Sequence, residues 1–148
     1  MLIRKMTSED VDQVSELEAA NFSMPWSNES FLEILNNSDT LYMVAADGEK
    51  IVGTCGIITA VGEGDICNVV VDENYRKRGL AYELVNTVME CAAKELGVTA
   101  YTLEVRVGNE AAIRLYEKLG FKSVGVRPKF YQKPVEDALI MWKTPDSN

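Results

Sequence analysis

No histidine occurs anywhere in the 148 residues. That absence removes the commonest general base, the Ser-His and Cys-His nucleophile pairs, and the usual zinc sites. Cysteine is sparse. Cys55, Cys67 and Cys91 are odd in number and widely spaced, so they define neither a disulfide framework nor a metal-ligand spacing, and no metal is expected. Long apolar runs are missing, and none approaches membrane-spanning length. The start, MLIRKMTSEDV, lacks the apolar core of a secretory leader. Positive charge is short too: 15 Lys and Arg face 23 Asp and Glu, a formal charge of -8. That balance argues against a broad nucleic-acid or anionic-membrane surface, and it suits a cationic partner such as an amine or a basic peptide. The expectation is a reduced, cytoplasmic, soluble protein with one domain over residues 1–148, contacting neither membrane nor nucleic acid and favouring a monomer.

What the chain does have is alternation between strand and helix patterns. Leu2 to Met6 reads as a short strand. Thr7 and Ser8 can cap a helix from about Glu9 to Asn21, with Val11, Val14, Leu17 and Ala20 at helical spacing. Ser27 caps a second helix that carries Phe31, Ile34 and Leu35 on one face. A hairpin follows, turning at Asp47-Gly48. Asp65 to Asp72 reads as a third strand, apolar on both faces at Val69, Val70 and Val71, as a central strand is. The stripe from Ala81 to Leu96 is helical and is closed by Gly97. Thr99 to Val107 alternates, with Leu103 and Val105 on one side and Thr102, Glu104 and Arg106 on the other. Asn109 can cap a further helix that stops at Gly120, and two closing strands complete an α/β order of βααβββαβαββ.

The densest cationic cluster of this acidic chain, Arg76-Lys77-Arg78, sits between the third strand and the helix that Gly79 opens. The first turn of a helix has backbone N–H groups without intrahelical partners, and the helix dipole adds positive potential there. Gly79 lets the backbone approach a ligand closely. Strand, basic turn, Gly-x-Ala and helix together describe a pyrophosphate cradle. The bland alternative is a solvated charge run. The pattern is neither a P-loop nor Gly-x-Gly-x-x-Gly.

The stretch RKRGLA matches the Arg/Gln-x-x-Gly-x-Gly/Ala signature of the GNAT superfamily of acyl-CoA-dependent N-acetyltransferases, and the element order matches that fold. FSMPWS, NVVVDENYRKRGLA, LEVRVGNEAAIRLYEKLGF and EDALIM resemble the ribosomal-protein-alanine N-acetyltransferases within it, over nearly the whole chain. The resemblance implies a mixed, mostly antiparallel sheet of six to seven strands with four flanking helices and splayed central strands that hold acetyl-CoA. It implies that Arg76, Lys77, Arg78, Gly79, Leu80, Ala81 and Tyr82 hold the pyrophosphate. The pantetheine arm would pair with the strand of Val69, Val70 and Val71, a form of β-augmentation. Asn109 matches a cofactor-contacting position and can equally be a helix cap.

By the same resemblance Glu104 is the general base and Tyr116 the general acid. An amine attacks a thioester only when neutral, and an α-amine titrates at about 7.7–8.0, so a base is needed near neutrality. Without histidine the candidates are carboxylates and tyrosine. An isolated strand glutamate would otherwise be a solvent-facing charge, and Tyr116 could instead be core. Cys67, with no base to activate it, reads as a small buried residue. On the acceptor side the resemblance points to Trp26, within the Met24 to Ser27 loop, and to Tyr131; Trp26 could equally be a core anchor. The implied reaction is acetyl transfer to the N-terminal alanine of the eighteenth small-subunit ribosomal protein, directly in a ternary complex. A small amine or lysine acceptor, and a non-catalytic acyl-CoA-binding module, are the alternatives.

Overall fold

The computed structural model describes residues 1–23 and 25–145. Its elements are β1 (Leu2–Lys5), α1 (Val11–Asn21), α2 (Asn28–Leu35), β2 (Thr40–Asp47), β3 (Lys50–Ala60), β4 (Glu63–Val71), α3 (Leu80–Leu96), β5 (Ala100–Arg106), α4 (Glu110–Lys118), β6 (Lys122–Tyr131) and β7 (Glu136–Lys143). The order is the expected one. All seven strands form one mixed sheet, β1-β2-β3-β4-β5-β7-β6, in which β4 and β5 are the parallel neighbours. The helices cover both faces. Phe31 and Tyr42 pack with Val11 and Val14 beneath α1 and α2, while Leu84, Val88, Leu103 and Tyr116 pack beneath α3 and α4.

Several boundaries shift for local reasons. A single 3-10 turn, Ser8–Asp10, precedes α1. Asp10 takes the Thr7 N–H at 2.7 Å and two bonds from the Arg4 guanidinium, and that holds the chain in a tighter turn before the α-helix begins. The β2–β3 loop is Gly48-Glu49, one residue later than expected, because Asp47 pairs with Lys50 and Gly48 takes the positive φ of 62°. The strand β4 starts at Glu63, ahead of Asp65, after a turn in which Val61 and Gly62 both have positive φ.

The stripe on α1 needs a larger correction. Val11 and Val14 are buried as expected, but Ala20 is exposed and Leu17 only partly covered. The fully buried partner one turn beyond Val14 is Glu18. The strand β5 alternates as read: Tyr101, Leu103 and Val105 are buried, and Thr102, Glu104 and Arg106 face the other way. Gly79 and Gly97 bracket α3, both in the left-handed region.

Candidate active site

The site begins where two strands part. The parallel ladder between β4 and β5 has three pairs, ending at Asp65 opposite Thr102. Beyond it, Ile66 to Val71 have no strand partner on the β5 side. A bulge marks the divergence. Thr54 pairs with Val70 and Gly56 with Cys67, so Cys55 alone faces Asn68 and Val69. A bulge bends its strand and strengthens the local twist, and here it turns β4 away from β5. Asn68 adopts φ 54°, a conformation in which asparagine is one of the few tolerated side chains. The open edge of Val69 to Val71 is therefore built by backbone shape. The Val71 carbonyl already accepts from Arg76 Nε at 3.0 Å.

At the end of that edge the chain folds into a cradle. Lys77 has φ 63° and Gly79 φ 77°, with Arg78 between them. Alternating left- and right-handed residues turn successive N–H groups inward, an anion-binding nest. Among the described residues, no backbone N–H from Lys77 to Tyr82 finds a protein acceptor. The first intrahelical bond is the Glu83 N–H to the Gly79 carbonyl, at 3.1 Å. A Cβ added at Gly79 would meet nothing, so the space above the cradle is open. These features fit a pyrophosphate held by backbone.

The three cations behave unequally. Arg76, though exposed, commits its guanidinium to other parts of the chain, to the Val71 carbonyl and to Asn21 Oδ1 at 2.6 Å. Arg78 stacks over the Tyr75 ring, 5.1 Å from its centre, and Tyr75 is tied to Asp47 at 2.6 Å. Lys77 has no ion-pair or hydrogen-bond partner among the described residues. So Arg76 anchors the loop, while Lys77, and Arg78 apart from its ring contact, make no hydrogen bond or ion pair among the described residues.

The mouth of the cleft is built from side chains. Glu104 projects from β5, 22% exposed, with Arg127 of β6 at 3.9 Å. Asp65 lies close enough that burial, and then the negative charge of Glu104, lift its carboxyl to about 6, although its side chain still reaches solvent. Tyr131 completes this wall. Arg106 lies over its ring at 4.5 Å, and burial, with Glu104 as the next cause, pushes its hydroxyl up to about 12. Burial raises the Cys67 thiol to about 12 as well, which keeps it a thiol and supports its reading as a packing residue.

Tyr116 comes from the other face. Leu103 and Val105 point away from Glu104 and share their core with Tyr116 of α4. Its ring packs edge-on against Phe121 at 5.9 Å. Burial, then Cys55 and Tyr131, hold its hydroxyl well above the ordinary tyrosine range, so it stays protonated. The hydroxyl has no protein partner among the described residues, yet it is not sealed from solvent. Glu104 and Tyr116 thus flank β5 from its two faces, and Tyr131 lies near enough to each that Glu104 raises its hydroxyl while it raises that of Tyr116.

The remaining candidates divide. Asn109 caps α4, its Oδ1 accepting the Ala112 N–H at 3.2 Å. Trp26 packs its ring against Phe31 at 5.6 Å and Tyr42 at 6.3 Å, the packing of an anchor. Met24 lies outside the described residues. The loop that carries them still reaches the cleft wall, because Ser23 Oγ donates to the Gln132 carbonyl beside Tyr131 at 3.3 Å. Sequence reasoning missed Asp65 and Arg127. Both lie in strands that oppose β5 or β7, and one-dimensional spacing carries no signal for such neighbours.

Comparison with known proteins decides the family. The model of the acetyltransferase (GNAT) family matches residues 11–121. The chain belongs to the GNAT acetyltransferase family. It is an acetyl-CoA-dependent N-acetyltransferase. A Bacillus subtilis (strain 168) protein, provisionally named [ribosomal protein bS18]-alanine N-acetyltransferase, is 38% identical, covering 96% of this chain and 94% of its own. The N-alpha-acetyltransferase RimI of Mycobacterium tuberculosis is 33% identical over 94% of this chain and 89% of its own. In three dimensions, the ribosomal-protein-S18-alanine N-acetyltransferase of Escherichia coli superposes with a TM-score of 0.86 at 28% identity, covering 97% and 92% of the two chains. The GNAT fold of seven strands and four helices agrees with the sequence expectation. Among the described residues no cluster of His, Cys, Asp and Glu could hold a metal, and no helix is long and apolar enough to cross a membrane.

Proposed function

We propose that this GNAT domain acetylates the α-amine of a protein N-terminus, most specifically the N-terminal alanine of the eighteenth small-subunit ribosomal protein. The observation that carries the reading is the placement of Glu104 and Tyr116 on the two faces of β5 beside the open edge of β4. An amine enters from the Glu104 side, where Glu104, directly or through water, takes its proton. Tyr116, kept protonated by burial, stands on the far side, where the departing thiolate needs a proton. Direct transfer requires no acylated protein residue, in keeping with a Cys67 held as thiol. The acidic mouth formed by Asp65 and Glu104, with Tyr131 beside it, suits a cationic terminus followed by a basic residue.

The cofactor supplies the acyl thioester. Our reading assigns the cradle from Lys77 to Tyr82 to its pyrophosphate and the edge from Val69 to Val71 to its arm. Names of relatives that act on the ribosomal protein support the choice of acceptor. The test incubates the protein and acetyl-CoA with peptides beginning Ala-Arg, peptides with other first residues, and polyamines, with products read by mass spectrometry. Acetylation of the α-amine of the Ala-Arg peptide is expected. Transfer to polyamines or lysine side chains alone would replace the acceptor assignment, and tight cofactor binding without transfer to any acceptor would make the protein a binding module.

A further inference from the structure

Glu18 is fully buried, and no cation meets it among the described residues. Three strands converge on its carboxyl. Tyr42 of β2 hydrogen-bonds Oε2, and Thr54 of β3 lies 3.4 Å from the same oxygen. Asn68 of β4 donates from Nδ2 to Oε1 at 2.9 Å. Thr54 has a single proton, and its better acceptor is the Asn68 carbonyl at 3.1 Å. Glu18 and Thr54 therefore grip one residue by both ends, Glu18 its side chain and Thr54 its main chain. That residue is the one at φ 54° in the bulge where β4 leaves β5. Burying a carboxyl without a cation is costly, and burial raises this one to about 8. An apolar side chain at position 18 would fill the stripe below Val14 without that cost. The polar choice coincides with the place where the backbone must hold an unusual shape.

We propose that Glu18 is a positioning residue for the acetyl-CoA site: by holding Asn68 it fixes the β4 bulge and so sets the open edge of Val69 to Val71. It touches neither substrate nor the reacting atoms. The inference rests on the assignment of that edge to the cofactor's arm, and it goes beyond that assignment by naming what shapes the edge. Burial favours the neutral form of Glu18, whose close isostere is glutamine, which can accept from Asn68 and donate toward Tyr42 or Thr54. Alanine can do neither. Glycine at position 68 can adopt φ 54° without help, so it uncouples the bulge from its support.

The test measures the acetyl-CoA Kd by calorimetry and kcat and KM by peptide acetylation, with Tm recorded for each variant. Glu18→Ala should raise the Kd and the acetyl-CoA KM about tenfold with little change in peptide KM, and Glu18→Gln should restore both to within about threefold. In an Asn68→Gly background, Glu18→Ala should add less than twofold to the Kd even though it still lowers Tm. Full additivity of the two substitutions, or a wild-type Kd in Glu18→Ala, would overturn the proposal and leave Glu18 a stability residue. If Glu18→Ala does not fold, Thr54→Val replaces it in the same cycle, with the same expected coupling to Asn68→Gly and the same overturning result. Failure of the wild-type protein to bind acetyl-CoA would instead refute the cofactor-site assignment itself.

Discussion

The two ends of the cleft are made of different material. The cradle from Lys77 to Tyr82 is backbone: unpartnered N–H groups held by two left-handed residues at a helix mouth, with one cation committed to the chain as an anchor. The mouth, which we assign to the acceptor, is side chain: Glu104, Arg127, Asp65 and Tyr131, drawn from β4, β5 and β6. A backbone site recognises what all its ligands share, here an anion, and tolerates substitution of the side chains around it. A side-chain site is specific and fragile. The two ends should therefore respond oppositely to mutation.

The largest effect should fall on the fragile end. Glu104→Gln keeps the shape but removes the proton acceptor, along with the 3.9 Å ion pair to the exposed Arg127. A positioned general base contributes roughly a hundred- to ten-thousandfold. At neutral pH, kcat for an Ala-Arg peptide should fall within that range, and the deficit should shrink toward pH 9 as the free amine loses its own proton. Steady-state kinetics from pH 6 to 9 give the result. A deficit independent of pH would remove Glu104 from the role of base.

The difference in material also explains what could be read in advance. The cradle's backbone shape was legible because it leaves local marks: a basic turn and a glycine within Arg76 to Gly79, followed directly by the helix stripe. The alternation of β5 placed Glu104 on the correct face for the same reason. Asp65 and Arg127 were not legible. They reach Glu104 through strand neighbours that lie 39 and 23 positions away in sequence, differences that follow directly from their numbers. Glu18 hid for another reason. Helical spacing from Val14 pointed to it, but a glutamate is ordinarily assigned to solvent, and the apolar Leu17 and Ala20 beside it absorbed the stripe. Trp26 carried two readings in the sequence, and its ring packs between α2 and β2 while staying partly exposed.

Glu18 links the two ends, because the bulge it supports lies between them, and its burial gives a second test. Its carboxyl is raised from the ordinary 4.5 to about 8 in the fold. Between these values the native protein keeps a proton that the unfolded chain has released. The unfolded state binds fewer protons there, so this contribution to stability declines as pH rises through the window and is level above about 8. A tenfold difference in proton affinity between the two states corresponds to ~1.4 kcal/mol. Glu18→Gln removes the titration. Relative to wild type it should gain stability between pH 5 and pH 8, on the order of a few kcal/mol by the same constant. Urea unfolding at several pH values measures the difference. A constant difference would mean that Glu18 is ionised in the fold.

The robust end needs a backbone change to break. Gly79→Val places a β-branched residue at φ 77°, where the left-handed region costs roughly 1–2 kcal/mol, and it projects methyl groups into the open space over the cradle. The acetyl-CoA Kd should rise tenfold or more with little change in peptide KM. Nothing in the protein clashes with the new Cβ, so Tm should fall by no more than the backbone strain accounts for, and a loss of acetyl-CoA binding beyond that would support a ligand in this space.

Removal of charge should matter least. Arg76 is engaged with Val71 and Asn21, whereas Arg78 lies on Tyr75 with its guanidinium N–H groups uncommitted among the described residues, so Lys77 is one of two cations left to face an anion. A single exposed cation beside a solvated phosphate contributes on the order of 1 kcal/mol or less, screened further by salt. Lys77→Ala should raise the acetyl-CoA Kd about two- to fivefold at low ionic strength and less at 0.5 M salt. Lys77→Gly, which relieves the strain of φ 63°, should lose the same charge and hold the cradle at least as well. If Lys77→Ala proves worse than Gly79→Val, side chains carry the anion, and the cradle is made of the same material as the mouth.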